Sequence, residues 1–198
     1  MFIDKNGVVR MPKAYLAGTE IFYPDTKETQ ERYHQLCEKY GFIGYYPEDL
    51  PPDDEFKEYE RKDDSVHEFE LKLFTHDLNH IKRSDIIIAN LNDYRGNEPD
   101  SGTAVECGLA WGLGHRCFAF IDDARPMKDR FKGVKKVMED GTVTDKNGVK
   151  LEDFDGPLNL MFSDFTVFEG DFENALKNIR EIFNAELVAA GYEPFEVK

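Results

Sequence analysis

The densest group of residues that could do chemistry lies in the stretch Asp100-Ser101-Gly102-Thr103-Ala104-Val105-Glu106-Cys107-Gly108. An apolar segment from Ile86 to Leu91 precedes it, and an apolar helix, predicted from Ala104 to Leu113, follows. This order places Asp100 in the loop after a strand and Glu106 in the first turn of a helix, at the edge where open α/β sheets bind ligands. Two acids so close raise each other's pKa and cost stability. We therefore interpret the stretch as an active-site loop with Glu106 as its chemical centre.

Two more side chains could work with Glu106. Asp77 lies on a predicted helix from Val66 to Arg83, and because its apolar neighbours face the sheet we expect it to lean toward the cleft. Tyr15 lies in a short apolar strand near the amino terminus. A pair of carboxylates across a cleft is the minimum for glycosidic-bond chemistry, since one attacks the anomeric carbon and the other protonates or holds the leaving group. A Tyr hydroxyl can hold the nucleophile in place and tune its charge.

Taken singly, each of these residues also fits a simpler role. Glu106 suits the positive end of a helix dipole, and Asp77 suits a solvated helix face. Tyr15 could be core packing, and Asp100 could only cap a helix or form a turn.

The sequence gives no sign of a metal or a cofactor. His76 and His80 have the i, i+4 spacing of metal ligands, but the Glu of H-E-x-x-H is missing, so we predict no metal site. Neither G-x-G-x-x-G nor the Walker pattern occurs, which weakens dinucleotide and nucleoside-triphosphate functions.

The surrounding pattern alternates strands with helices, which indicates a parallel sheet covered on both faces. The predicted fold is α/β, a flavodoxin-like doubly wound sheet of five mainly parallel strands. Its predicted strands are residues 13–18, 42–47, 85–91, 117–121 and 166–168. Its predicted helices are residues 26–40, 66–83, 104–113 and 172–190.

Two segments interrupt this alternation within a single predicted domain, residues 1–198. The segment from Pro51 to Asp64 is acidic and polar, and we expect a surface excursion. The segment from Asp122 to Phe154 is long and charged, and we treat it as an insertion of functional or interaction type. Within it, Asn147-Gly148 between Val143 and Val149 predicts a small hairpin.

The amino-acid composition limits the kinds of molecule that this protein is expected to bind. The formal net charge of −15 argues against nucleic acid and anionic membranes and suits a neutral or cationic small molecule. The three cysteines have no paired-motif spacing, as expected of reduced thiols in a cytoplasmic protein. The sequence shows neither an apolar signal region at the start nor an apolar run of roughly 18 residues, the length of a membrane span.

Four motifs in order resemble the nucleoside 2-deoxyribosyltransferase family. They run from Tyr15 to about Phe168 and read Tyr15-Leu16-Ala17-Gly18; Asp77-Leu78-Asn79 with Ile81 and Asp85; Tyr94-Arg95-Gly96-Asn97-Glu98-Pro99-Asp100-Ser101-Gly102-Thr103-Ala104-Val105-Glu106-Cys107-Gly108; and Gly156-Pro157-Leu158-Asn159-Leu160-Met161. Each motif alone is weak, but their order and spacing together are fairly specific.

The resemblance implies a role for each matched residue. Glu106 is the expected nucleophile, Asp77 contacts the base and assists its departure, and Tyr15 orients Glu106. Asp100 helps to hold the substrate, and the same motifs place Gly18 and Arg95 among the substrate-binding residues. Asn159 and Met161 are expected to complete the site of a neighbouring subunit, so the resemblance implies a homo-oligomer.

The resemblance also implies an activity: transfer of 2-deoxyribose between bases in nucleotide salvage, without a cofactor. The expected partners are 2′-deoxynucleosides and free nucleobases. Two alternatives stay open at this point. One is a hydrolase of the same fold that cleaves a deoxynucleoside or its 5′-phosphate, for which Arg95 could serve the phosphate. The other is a non-catalytic binding module, because fold alone does not exclude it.

Overall fold

The computed structural model describes residues 2–3, 6–50 and 61–197. Within them the strands are β1 (Lys13–Ala17), β2 (Ile43–Tyr45), β3 (Ile86–Asn90), β4 (Arg116–Ile121), β5 (Lys135–Val137), β6 (Val143–Asp145) and β7 (Thr166–Glu169). The α-helices are α1 (Thr26–Lys39), α2 (Val66–Arg83), α3 (Ser101–Gly112), α4 (Met127–Arg130) and α5 (Phe172–Ala189). Two short 3₁₀ helices cover Thr19–Phe22 and Leu160–Phe162.

Five strands form one parallel sheet in the order β2-β1-β3-β4-β7. This is the flavodoxin-like order, so the predicted fold is confirmed. The central strands are buried on both faces, and β3 accordingly reads Ile86-Ile87-Ile88-Ala89 without polar alternation. Within the described residues, no helix is long and apolar enough to cross a membrane.

The helices divide between the two faces of the sheet. One face packs on α1 and α5 through Tyr33, Phe172 and Phe183. The other packs on α2 and α3 through Ile81 and Cys107. Because β1 leads to α1 and its neighbour β3 leads to α3, the two connecting loops diverge to opposite faces. The crevice between such loops is where open sheets of this order bind their ligands.

The helix that carries Glu106 begins earlier than predicted, so the prediction that Glu106 lies in its first turn is wrong. The Asp100 carboxylate accepts a hydrogen bond from the Thr103 backbone N–H and caps the helix. That cap draws Ser101 and Gly102 into the first turn, although both residues are weak helix formers. Glu106 therefore lies in the second turn, where the helix already packs on the sheet.

The insertion is structured rather than a long loop. Strands β5 and β6 form an antiparallel hairpin, and the predicted Asn147-Gly148 turn follows β6. Gly148 adopts φ +82°, and a bridge between Thr144 and Lys150 closes this turn. Of the predicted surface excursion, residues 51–60 lie outside the described residues, and residues 61–64 are mostly exposed.

Candidate active site

Tyr15 and Glu106 meet at the centre of the site. Tyr15 is fully buried in β1, and its hydroxyl donates a hydrogen bond of 2.6 Å to Glu106 Oε1. Burial raises the pKa of Glu106 to about 8, the Tyr15 hydrogen bond opposes this rise, and the charges of Asp77 and Asp100 add to it. The carboxylate thus loses its hydration, which makes it a stronger nucleophile, and keeps one donor that favours its charged form.

Asp77 lies near enough to Glu106 for its charge to raise the pKa of Glu106. It sits on α2, which packs against α3, and it is partly buried. Burial raises its pKa to about 7. Its Oδ1 is buried and has no hydrogen-bond partner among the described residues, so it is available to a ligand. A carboxyl group that titrates near neutrality is suited to general acid and base catalysis.

The two histidines next to Asp77 attach a loop rather than forming a metal cluster in the described residues. His76 Nε2 lies 3.0 Å from the Pro47 carbonyl oxygen, and His80 Nε2 lies 3.0 Å from that of Asp49. These contacts tie the loop after β2 to α2. Among the residues that the structure describes, no three side chains of metal-binding type come together.

Asp100 and Gly18 border the site from two loops. Asp100 caps α3, the simpler of the roles that the sequence allowed, and its charge also raises the pKa of Glu106. Gly18 follows β1, and a Cβ there would overlap the Glu20 carboxylate and lie 3.0 Å from Asn90 Cβ. A larger residue would therefore displace Glu20, which is a physical reason for glycine at this position.

Arg95 lies at the rim and not with the carboxylates. Its side chain is exposed, its guanidinium lies 4.7 Å from the centre of the Tyr94 ring, and its backbone adopts φ +52°. In the described part of the chain, no hydrogen bond or ion pair joins it to Glu106, Asp77 or Asp100. The left-handed backbone is uncommon outside glycine and turns the Arg95 side chain onto Tyr94.

Asn159 and Met161 do not meet Glu106 within one chain. Asn159 donates a 2.6 Å hydrogen bond to Glu152 and caps the short helix that carries Met161. Both residues line a cleft of about 460 Å³ along α3, whose other walls are Glu98, Pro99, Ala104, Val105, Cys107, Gly108, Trp111, Phe162 and Phe165. At 3.6 residues per turn, the stripe formed by Ala104, Gly108 and Trp111 points away from Glu106.

Sequence reasoning missed how the insertion supports the site. Arg130 on α4 forms a 2.8 Å ion pair with Asp93 in the loop after β3, and their side chains are only 7% and 9% exposed. Arg130 also donates to the Pro157 carbonyl, ahead of Asn159. Lys132 adds an ion pair of 2.9 Å to Asp93, and its backbone N–H donates a hydrogen bond to the side-chain oxygen of Asn97. The insertion thus joins the loop that leads to Asp100 with the segment that carries Asn159; no sequence signal marked these pairs.

Sequence reasoning also missed Glu20. It lies in the short helix after β1, and its Oε1 accepts hydrogen bonds from the Tyr33 hydroxyl at 2.7 Å and the Asn90 amide at 2.8 Å. Its position just past a strand end was a signal that could have identified it.

Comparisons with known proteins identify the family of this chain. The family model of nucleoside 2-deoxyribosyltransferase matches residues 14–161. The solved structure of a 2-desoxiribosyltransferase from Leishmania mexicana is similar over 85% of this chain and 96% of that one, with 28% identity and a TM-score of 0.62. No curated protein matches the sequence.

Two further solved structures show a weaker likeness. A 2-deoxyribosyltransferase from Bacillus psychrosaccharolyticus has 21% identity and a TM-score of 0.48, and the match covers 93% of this chain and 99% of that one. A CMP N-glycosidase from Clostridium botulinum has 13% identity and a TM-score of 0.43, with coverages of 84% and 97%.

The family match spans three quarters of the chain and includes Tyr15, Asp77, Asp100 and Glu106. The family acts on nucleosides and nucleobases, the substrate class that the paired carboxylates suit. This chain belongs to the nucleoside 2-deoxyribosyltransferase family and is a pentosyltransferase.

Proposed function

We propose that this protein transfers 2-deoxyribose from a 2′-deoxynucleoside to a free nucleobase through a covalent ester on Glu106. The observation that carries the proposal is the partly buried Glu106, held by the Tyr15 hydroxyl at 2.6 Å, with the titratable Asp77 beside it. These are the parts that a double-displacement mechanism requires.

In the first half-reaction, a Glu106 oxygen attacks C1′ as the C1′–N bond to the base breaks. Asp77 gives its proton to the departing base, and an ester between C1′ and Glu106 remains. The attack needs the proton on Asp77 and the charge on Glu106; since the pKa of Glu106, about 8, lies above that of Asp77, about 7, this is the less populated of the two arrangements, and the reaction proceeds through it. The Tyr15 hydrogen bond favours that arrangement, since it stabilises the charged Glu106.

In the second half-reaction, a ring nitrogen of the incoming base attacks C1′ and the ester bond breaks. Asp77 takes the proton from that base, and Glu106 returns as a carboxylate. Two inversions at C1′ give net retention. Glu106 and Asp77 thereby return to their starting protonation states, so the chemistry is complete with these side chains.

The charges around the site support a substrate with a free 5′-hydroxyl rather than a 5′-phosphate. Asp100 is a carboxylate, Asn159 is neutral, and Arg95 lies at the rim over Tyr94. A phosphate site normally offers Arg, Ser or free helix N–H groups. Here the Asp100 side chain occupies the N-terminus of α3.

The test is incubation with deoxyinosine and free adenine, with the products separated by chromatography. Deoxyadenosine is the expected product, whereas deoxyribose alone would identify a hydrolase, and unchanged substrate would identify a non-catalytic module. We expect Glu106→Ala to abolish transfer and Glu28→Ala, on an exposed turn of α1, to retain it. A 2′-fluoro nucleoside should label Glu106, and a label on another residue would contradict the mechanism.

We further propose that the site is shared between two copies of the chain. Met161 is 77% exposed, Trp111 56% and Val105 60%, so the cleft along α3 presents a large apolar surface. Since Asn159 and Met161 lie away from Glu106 in their own chain, they are placed to serve a partner. A two-fold contact is the simplest arrangement that would do this.

Subunit mixing tests this arrangement. Glu106→Ala and Asn159→Ala are each expected to be inactive alone. Mixed oligomers contain one intact composite site, so activity should return when the two variants exchange subunits. Full activity in a demonstrated monomer, or no recovery despite proven exchange, would refute sharing.

A further inference from the structure

Glu20 holds a fixed carboxylate beside the crevice. Its Oε1 accepts two hydrogen bonds, from the Tyr33 hydroxyl and the Asn90 amide, while its Oε2 accepts none from the described residues. Burial raises the pKa of the Tyr33 hydroxyl, which therefore stays protonated and remains a donor. One oxygen is thus anchored by two donors, and the other lies against Gly18 at the end of β1 with no hydrogen-bond donor among the described residues.

Glu20 and Glu106 lie on opposite walls of the crevice. Glu20 belongs to the loop between β1 and α1, on the face of the sheet that α1 and α5 cover. Glu106 belongs to α3, on the other face. In a displacement with inversion, the leaving base points away from the attacking oxygen. The base is therefore directed toward the wall that holds Glu20.

The same wall carries an aromatic surface. Phe22, two residues after Glu20, is 55% exposed, and its ring stacks on Tyr94 with centroids 5.7 Å apart and an angle of 20°. An exposed flat ring next to a fixed hydrogen-bond acceptor suits a planar heterocycle with an N–H donor on its edge.

We propose that Glu20 selects the nucleobase: its Oε2 accepts a hydrogen bond from the exocyclic amino group of adenine or cytosine. Hypoxanthine and uracil carry a carbonyl oxygen at that position, which the carboxylate repels. Asp77 gives or takes the proton on the ring nitrogen that reacts, and Glu20 distinguishes bases with an exocyclic amino group from bases with a carbonyl oxygen at that position. This inference rests on the proposed function, because it assigns the substrate class of the same site.

Glu20→Gln is the sharpest test, because the structure fixes which way the amide must lie. The amide oxygen takes the place of Oε1, since Tyr33 and Asn90 both donate there. The amide nitrogen then takes the place of Oε2 and donates to a carbonyl. We expect the ratio of kcat/KM for adenine over hypoxanthine as acceptors to fall by roughly tenfold or more, with the same direction for cytosine over uracil.

Direct binding separates this inference from the proposed function. Titration calorimetry with each free base gives Kd without turnover, and the ratio of Kd values should shift in the same direction whether the enzyme transfers or hydrolyses. Glu20→Asp keeps the charge and loses reach, so it should weaken adenine binding without improving hypoxanthine binding. Glu28→Gln removes a nearby negative charge from an exposed turn and should leave both ratios unchanged.

Thermal unfolding will confirm that each variant is folded. A Glu20→Gln protein that binds all four bases with the wild-type ratios would overturn the proposal. An equal loss of affinity for bases with an amino group and bases with a carbonyl oxygen would also overturn it. If the wild type binds bases with the expected preference but yields no transfer product, the proposed function fails and the role of Glu20 stands.

Discussion

Replacing Tyr15 by Phe isolates what its hydroxyl does to Glu106. The hydrogen bond of 2.6 Å to Glu106 Oε1 is a short, charge-assisted one. Such bonds contribute about 1.5–3 kcal/mol, which corresponds to about 1–2 pKa units. The pKa of Glu106, about 8 in the wild type, is therefore expected to rise to roughly 9–10 in Tyr15→Phe.

The consequence is a loss of rate that depends on pH. At pH 7 about one tenth of Glu106 is ionised in the wild type and about one hundredth or less in the variant. We expect kcat/KM at pH 7 to fall by about tenfold to a hundredfold. At pH 9.5 most of the wild-type groups and a sizeable share of the variant groups are ionised, so the difference should narrow to less than about fivefold.

The assay is kcat/KM for deoxyinosine with adenine from pH 6 to 9.5, because this parameter reports the ionisations of the free enzyme. Tyr45→Phe is the matched control, since the Tyr45 ring stacks on His80 at 5.4 Å and not on Glu106. If the ratio of the wild-type kcat/KM to that of Tyr15→Phe stays constant from pH 6 to 9.5, the pKa argument is refuted. The hydroxyl would then act on the position of Glu106 alone.

Three further predictions follow from the same structure. Asp77→Asn should lower kcat most for bases that leave poorly, because it keeps the shape of the side chain and loses its proton; wild-type kcat with every base would rule out that role. Glu106→Gln should be more stable than the wild type, increasingly so from pH 5 to 8. The folded protein holds a proton on Glu106 up to about pH 8, and above its unfolded pKa near 4.5 it loses stability as pH rises; thermal unfolding at pH 5.5 and 8.5 measures this. Arg130→Met should lower the free energy of unfolding by about 3 kcal/mol and raise KM, because it leaves the buried Asp93 with Lys132 as its remaining ion-pair partner. Urea unfolding measures the stability, and an unchanged free energy of unfolding together with an unchanged KM would contradict the prediction.

Much of this fold could be predicted from the sequence, because strand and helix patterns depend on residues that are near neighbours in the chain. The isoleucine run of β3 and the spacing of apolar residues in α2 were sufficient to predict these elements, and the alternation along the chain predicted a doubly wound sheet. Helix boundaries depend on weaker capping contacts, so α3 begins at Ser101, three residues before its predicted start.

The sequence by itself determined which residue types this protein has for its chemistry: the Asp100–Glu106 stretch, Asp77 and Tyr15, recognisable from their order and from the family they resemble. Only the tertiary structure decided which of them meet. Tyr15 and Glu106 are 91 residues apart, and their hydrogen bond exists because β1 lies beside β3 and α3 packs above both. The same packing places Asn159 and Met161 on the cleft along α3, whose lining does not include Glu106. It also fixes Glu20 by contacts with α1 and β3 that no local pattern encodes, since a side chain's partners depend on strand order and helix orientation.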